Sequence, residues 1–207
     1  MKKSLTRIFL VLTLTIVLVS GMSMSASACT TSYFPFTWAN GSTSISMQIF
    51  SSAYSDYYTK LNNNYTSWNG ISSKASLGTL TYNSNGTNSN KDIEIHGQNL
   101  TGSLYGYVEL YSKNILGIVT DRSSEVLTYT GTIFRAKVYL DTRQSGSVLS
   151  LSDSWIVHNV MHELGHCLAL SHPGCTNSAL MHQTASSYVS TSITTHDKNN
   201  LKAKWGN

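Results

Sequence analysis

The chain has 207 residues, of which 12% are charged, 41% hydrophobic and 10% aromatic. This content supplies a hydrophobic core and excludes a largely disordered chain, because disordered chains have few aromatic residues and a high net charge. The length corresponds to one domain, or at most two small ones. The formal charge of +4 would favour nucleic-acid binding only if the basic residues formed a surface patch.

The N-terminus accounts for most of that charge. Three basic residues within the first seven positions precede an apolar run over residues 8–19, and a small, polar stretch ends in Ala-Ser-Ala at 26–28. This order is typical of a secretory signal peptide. The run is short for a bilayer span, so we expect residues 1–28 to be removed, with a retained membrane anchor as the alternative.

The chain that remains, residues 29–207, is predicted to be a secreted catalytic domain. It keeps 11 basic and 10 acidic residues, a balance that argues against a nucleic-acid partner. Cys29 directly follows the cleavage point, so a lipid anchor on its thiol is an alternative to free secretion. Cys167 and Cys175 could pair in an oxidising compartment or remain separate thiols.

The hydrophobic pattern predicts a mixed α/β domain. Residues 52–69 carry an aromatic stripe at helical spacing, residues 152–170 carry a broad apolar face, and residues 195–204 form a short last helix. Alternating or short apolar runs predict strands over residues 43–50, 77–82, 92–96, 105–111, 115–120 and 132–140. The order predicts a sheet with a buried helix behind it.

The long helix contains the sequence His162-Glu163-Leu164-Gly165-His166. Residues four positions apart lie on one helical face, so the two imidazoles can bind one Zn²⁺. A catalytic zinc takes three protein ligands and leaves a position open for water. Glu163 stands where its carboxylate can take a proton from that water and later give it to the leaving amine.

The third ligand is predicted from the residues after the helix. Glu163 is the last Glu of the chain, which excludes a downstream Glu ligand, and Asp197 is the only later acid. His172 lies six residues after His166, at a suitable distance. We therefore expect His172 as the third ligand, with Asp197 as the alternative.

At this point the sequence resembles the metzincin metalloproteases, whose pattern is H-E-x-x-H-x-x-G-x-x-H followed by a methionine turn. Met181, in Ala179-Leu180-Met181, matches that turn, and the ending over residues 197–206 is similar to the C-terminal helix of matrixin-type and small bacterial members. Ala169 stands where the family has Gly, a change that costs about 1 kcal/mol if the residue is left-handed.

The resemblance implies a twisted, mostly parallel five-stranded sheet with an active-site helix and a C-terminal helix. It further implies one catalytic zinc held by His162, His166 and His172, with Glu163 as general base and Met181 as an apolar floor. The sequence shows no acid and His cluster for a calcium or second zinc site.

The resemblance also implies that an extended peptide binds along an edge strand. No later apolar run is long enough for a stable membrane span, and we expect a monomer. Our candidate strand is Leu116, Gly117, Ile118 and Val119, with a plain buried strand as the alternative, and residues 183–189 would wall the pocket. Two rival functions are a zinc-binding adhesion module without peptidase activity, motivated by Ala169, and a carbohydrate-binding domain, motivated by the Tyr-, Asn- and Ser-rich composition.

Overall fold

The computed structural model describes residues 31–84, 86, 90–143, 145–174, 179–183 and 190–207. The predicted signal peptide, Cys29, Cys175 and most of the predicted pocket wall over residues 183–189 lie outside these ranges. The described strands are β1 Thr37–Trp38, β2 Ile45–Phe50, β3 Leu77–Asn83, β4 Ile93–Gln98, β5 Gly106–Lys113, β6 Val119–Asp121, β7 Thr132–Ile133 and β8 Arg135–Asp141. The described α-helices are α1 Ser51–Asn64, α2 Asp153–Cys167 and α3 Thr195–Trp205.

The main sheet has the strand order β3-β2-β4-β8-β5-β6, and β1 pairs separately with β7. Strands β3, β2, β4 and β8 are mutually parallel, whereas β5 runs antiparallel to both β8 and β6. The fold is therefore α/β with a mostly parallel sheet, as predicted. The sheet has six strands where five were expected, because the short β6 adds to part of the edge of β5.

Helices α1 and α2 pack on each other, and they also contact β4, β5 and β8. The aromatic stripe predicted to face the core does so: Tyr57, Leu61 and Trp68 have no solvent exposure. Trp68 lies in a 3-10 turn that directly continues α1. Because α1 fills the space behind α2, the helix that carries both motif histidines is itself buried.

The strand predicted over residues 115–120 is only partly present. Residues 114–118 form a turn in which the Asn114 side chain accepts hydrogen bonds from the N–H groups of Leu116 and Ile118, at 3.0 and 2.9 Å. Gly117 has φ +82°, a left-handed conformation that glycine adopts without strain. The turn chemistry of Asn and Gly therefore outweighs the apolar run, and only β6 is extended.

Helix α2 ends at Cys167, three residues before the predicted end, and Cys167 is a buried free thiol. Helix α3 extends one residue beyond the prediction and begins with a capping box between Thr194 and Asp197. Within the described part of the chain, no helix combines the length and the apolar character needed to cross a bilayer.

Candidate metal centre

Three imidazoles meet at the C-terminal end of α2. His162 and His166 project from successive turns of the helix, with ring planes at 89° to each other and centroids 4.7 Å apart. His172 reaches the same point from the loop after the helix. Its Nε2 atom lies 3.0 Å from Nε2 of His162 and 3.1 Å from Nε2 of His166.

The backbone determines which ring nitrogens face this point. Nδ1 of His162 lies 2.9 Å from the carbonyl oxygen of Leu180, and Nδ1 of His166 lies 2.9 Å from that of Leu170. A carbonyl oxygen can only accept, so each neutral imidazole carries its proton on Nδ1 and directs the Nε2 lone pair inward. Metal-binding histidines ordinarily make such a hydrogen bond with the ring nitrogen that does not bind the metal.

The donor set fits a single zinc ion. Zinc–nitrogen bonds of about 2.0–2.1 Å at tetrahedral angles place ligand nitrogens about 3.3 Å apart, close to the observed separations. The possible ligand atoms of the three histidines all lie within 4.8 Å of one another. His162, His166 and His172 could therefore hold one zinc and leave its fourth position toward the cleft.

Electrostatics favour the neutral, metal-binding form of all three rings. Burial, followed by the nearby His166, lowers the pKa of His162 well below its usual value. Burial and then His172 lower the pKa of His166 to about 4. Burial and then His182 also lower the pKa of His172. Desolvation disfavours a charged imidazole, so the site is ready for a cation at neutral pH.

Ala169 turns the chain toward the third ligand. Its φ of +66° is the only positive φ at a non-glycine position among the described residues. The N–H of Ala169 bonds the His166 carbonyl at 3.0 Å and the N–H of Leu170 bonds the Gly165 carbonyl at 2.9 Å. These two bonds form a Schellman motif. Ala169 thus adopts the conformation expected of glycine and redirects the chain toward His172.

Distant segments hold the end of α2 in place. The Cys167 carbonyl accepts from the indole N–H of Trp38 at 3.0 Å, and the Leu168 carbonyl accepts from that of Trp205 at 2.9 Å. The Ala169 carbonyl accepts from the N–H of Phe34 at 2.7 Å. The C-terminal carbonyls of a helix lack partners within the helix. Here the N-terminal segment and α3 supply them, which fixes the start of the ligand loop.

Asp197, the alternative third ligand, accepts hydrogen bonds from other groups of the protein. Its buried carboxylate accepts from the N–H groups of Leu180 at 3.0 Å and Met181 at 3.3 Å, and from Thr194 in the capping box. The carboxylate therefore anchors the methionine turn instead of joining the three histidines.

Met181 lies in the core, with no solvent exposure. A Cβ added at Gly165 would overlap its sulfur and lie 3.1 Å from Cζ2 of Trp68. The glycine within the histidine motif thus makes room for the methionine, a requirement that the sequence pattern did not reveal.

Glu163 is buried, and its Oε2 atom has no hydrogen-bond partner among the residues that the structure describes. Burial raises its pKa to about 8. A Cβ added at Gly106, the first residue of β5, would lie 2.8 Å from Oε1 of Glu163. The glycine therefore lets β5 approach the carboxylate of Glu163 closely.

A cleft of about 1090 Å³ runs over this site. All three candidate ligands and Glu163 line it, as do His158, His182, Gln183 and the first residues of β5. His158 is buried, and its Nδ1 atom lies 2.8 Å from the carbonyl of Ser190. His96 contacts Glu94 and His196 contacts Asn200, and neither of them lines this cleft.

The strand that borders the cleft is β5, which sequence reasoning did not select. On the edge of β5 away from β8, the Leu110 N–H donates to the Ser123 hydroxyl, and the Leu110 carbonyl accepts from the N–H of Arg122. Backbone groups alternate in direction along a strand, so those of Gly106 and Val108 point to that same edge. Pairing with β6 begins only at Tyr111, which leaves this edge open at the cleft.

The predicted substrate segment, Leu116, Gly117, Ile118 and Val119, lies elsewhere. It forms the turn and the start of β6 at the far end of β5 and does not line the cleft. A pattern of apolar residues marks a strand but not its neighbours, so the sequence could not show which edge faces the histidines.

No known protein-family model matches this chain, and no curated protein sequence matches it.

Proposed function

We propose that the protein is a secreted, monomeric, zinc-dependent endopeptidase of the metzincin type. The observation that carries this proposal is the convergence of the Nε2 atoms of His162, His166 and His172 at a cleft that the buried Glu163 also lines. Three neutral imidazoles and an adjacent general base are the set that zinc-dependent hydrolysis requires.

Zinc held by these imidazoles would lower the pKa of a water molecule to about 7 and polarise a substrate carbonyl. Glu163 would accept the proton of the attacking water on a carboxylate oxygen and deliver it to the leaving-group nitrogen as the C–N bond breaks. The Leu180 and Leu170 carbonyls would keep the two helical imidazoles in the required tautomer throughout.

The open edge of β5 supplies a binding mode for the substrate. The outward N–H and C=O groups of Gly106 and Val108 could pair with an extended peptide. This binding mode recognises the backbone of the peptide and makes little demand on its side chains. Such pairing would bring a peptide bond near Glu163, because a Cβ added at Gly106 would lie 2.8 Å from Oε1 of that carboxylate. The substrate class is therefore an extended peptide segment.

The fold supports the metzincin type in a coarse way. A mostly parallel sheet, a buried helix with two histidines and a C-terminal helix occur in the order expected from the resemblance. Ala169 was the reason to consider a zinc-binding module without peptidase activity. This reason is weakened, since Ala169 adopts the left-handed conformation and the chain still brings His172 to the site.

The test compares casein hydrolysis by wild type, Glu163→Gln and Glu125→Gln. Glu125 is half exposed and does not line the cleft, so its variant is the matched control. We expect chelator-sensitive hydrolysis by wild type and the control, and a loss of about 10²-fold or more in Glu163→Gln with zinc still bound. Full activity of Glu163→Gln would refute the mechanism. Zinc binding by a wild type that cleaves nothing would favour the module without peptidase activity.

A further inference from the structure

A second feature of the molecule is an exposed aliphatic cluster at the turn between β5 and β6. It consists of Ile115, Leu116, Ile118 and Val119, which we call the apolar tip. Ile115 is fully exposed, and the other three are between 52% and 79% exposed. Large aliphatic side chains that share one exposed protrusion mark an interaction site, whereas scattered ones do not.

The apolar tip is held rigidly by its backbone. The Asn114 side chain accepts from the N–H groups of Leu116 and Ile118, the Asn114 N–H bonds the Ile118 carbonyl at 3.1 Å, and the Gly117 N–H bonds the Asn114 carbonyl at 2.9 Å. The turn therefore satisfies four of its backbone amides internally. Internal pairing of this kind is what entry into a lipid surface requires, because hydrocarbon offers no hydrogen bonds.

Size and charge indicate the kind of partner. The four side chains offer on the order of 500 Å² of surface, less than the roughly 800 Å² per partner that a stable protein interface buries. Lys113 pairs with Val119 at the base of the turn, and the nearest acid, Asp121, pairs with Tyr111 farther from the turn. An aliphatic protrusion with a cation at its base matches the boundary between acyl chains and anionic headgroups.

We propose that the apolar tip inserts into the surface of a phospholipid bilayer and attaches the protein peripherally. Strand β5 separates the tip from Gly106, which adjoins Glu163, by about 25 Å at the usual rise of a strand. Insertion of the tip would thus hold the cleft clear of the lipid and accessible from the aqueous side. This attachment requires neither a spanning helix nor acylation of Cys29.

The experiment measures flotation of residues 29–207 with vesicles of phosphatidylcholine, alone and with phosphatidylglycerol. The protein is produced without its signal peptide, so that Cys29 carries no lipid. We compare wild type with Leu116→Ser and with the matched control Leu127→Ser, since the two leucines are 79% and 74% exposed. Thermal unfolding of each variant checks that the fold is kept.

We expect wild type and Leu127→Ser to float with vesicles, more strongly when phosphatidylglycerol is present, and Leu116→Ser to bind at least about tenfold more weakly. In Ile115→Trp, brominated acyl chains should quench fluorescence beyond the wild-type background. Equal binding of Leu116→Ser and wild type, or no flotation of wild type, would overturn the proposal. So would concentration-dependent self-association that Leu116→Ser abolishes, because it would assign the tip to a second copy of the chain.

Discussion

Asp197 and His162 each hydrogen-bond one of the two backbone polar groups of Leu180. The Leu180 N–H donates to Oδ2 of Asp197 at 3.0 Å, and the Leu180 carbonyl accepts from Nδ1 of His162 at 2.9 Å. Both contacts are buried. The carboxylate on α3 therefore positions a zinc-ligand candidate on α2 through a single residue of the methionine turn.

The first prediction concerns this connection. Asp197→Asn leaves fewer acceptors for the N–H groups of Leu180, Met181 and Thr194, so an amide or hydroxyl donor loses its partner. We expect unfolding to become easier by about 1–3 kcal/mol and zinc affinity to fall by about 10–100-fold. Thermal unfolding and competition with a zinc chelator measure the two effects. Asp153→Asn, at an exposed carboxylate that pairs with Lys60, is the control. If both variants behave alike, Asp197 has no positioning role.

The second prediction tests the third ligand. His172→Ala should weaken zinc binding strongly, because two imidazoles alone leave the ion without its third protein ligand. His158→Ala is the matched control, since this histidine is one turn before His162 but binds the Ser190 carbonyl. Zinc content and affinity are measured for both. Unchanged affinity in His172→Ala would move the third ligand to another residue.

The third prediction concerns the glycine within the histidine motif. Gly165→Ala introduces a Cβ that overlaps the sulfur of Met181 and presses on Trp68. Overpacking of a rigid core typically costs about 1–3 kcal/mol, so the melting temperature should fall. Gly174→Ala is the control, because a Cβ there meets nothing within 4 Å. A Gly165→Ala protein as stable as the control would mean that Met181 can move aside freely.

The fourth prediction uses pH. Burial of Asp141 opposes its ionisation, but hydrogen bonds from Arg143 and the Leu100 N–H outweigh it and lower the pKa. Arg143 in turn bonds the carbonyls of Gly102 and Leu104, which precede β5 at the cleft. A carboxyl with a depressed folded-state pKa stabilises the protein above its unfolded pKa of about 3.9 and loses that contribution as pH falls.

Asp141→Asn should therefore melt below wild type at pH 7, and the difference should shrink as the pH is lowered through 4 toward 3. Melting curves of both proteins over this range provide the measurement. A difference that stays constant with pH would assign the effect to packing or hydrogen bonding of the side chain instead of its charge.

Local pattern predicts much of the fold. The stripe of α1 and the broad apolar face of α2 are visible in the sequence because helical periodicity is a property of neighbouring residues. The left-handed conformation of Ala169 likewise agrees with its place in the motif. The prediction of a strand over residues 115–120 was wrong for its first part. Hydrogen bonds to the Asn114 side chain and the positive φ of Gly117 form a turn there, although the residues are apolar.

The convergence of the three histidines follows from local features of the chain. Positions 162 and 166 share a helical face whatever surrounds the helix, and the short link to His172 keeps that residue within reach. The packing of the whole domain, in contrast, is what shows that Leu180 and Leu170 orient the two helical rings, that Asp197 supports the turn and that β5 borders the cleft. These relationships join segments far apart in the chain, and long-range pairing depends on how the whole core packs, which no local pattern encodes.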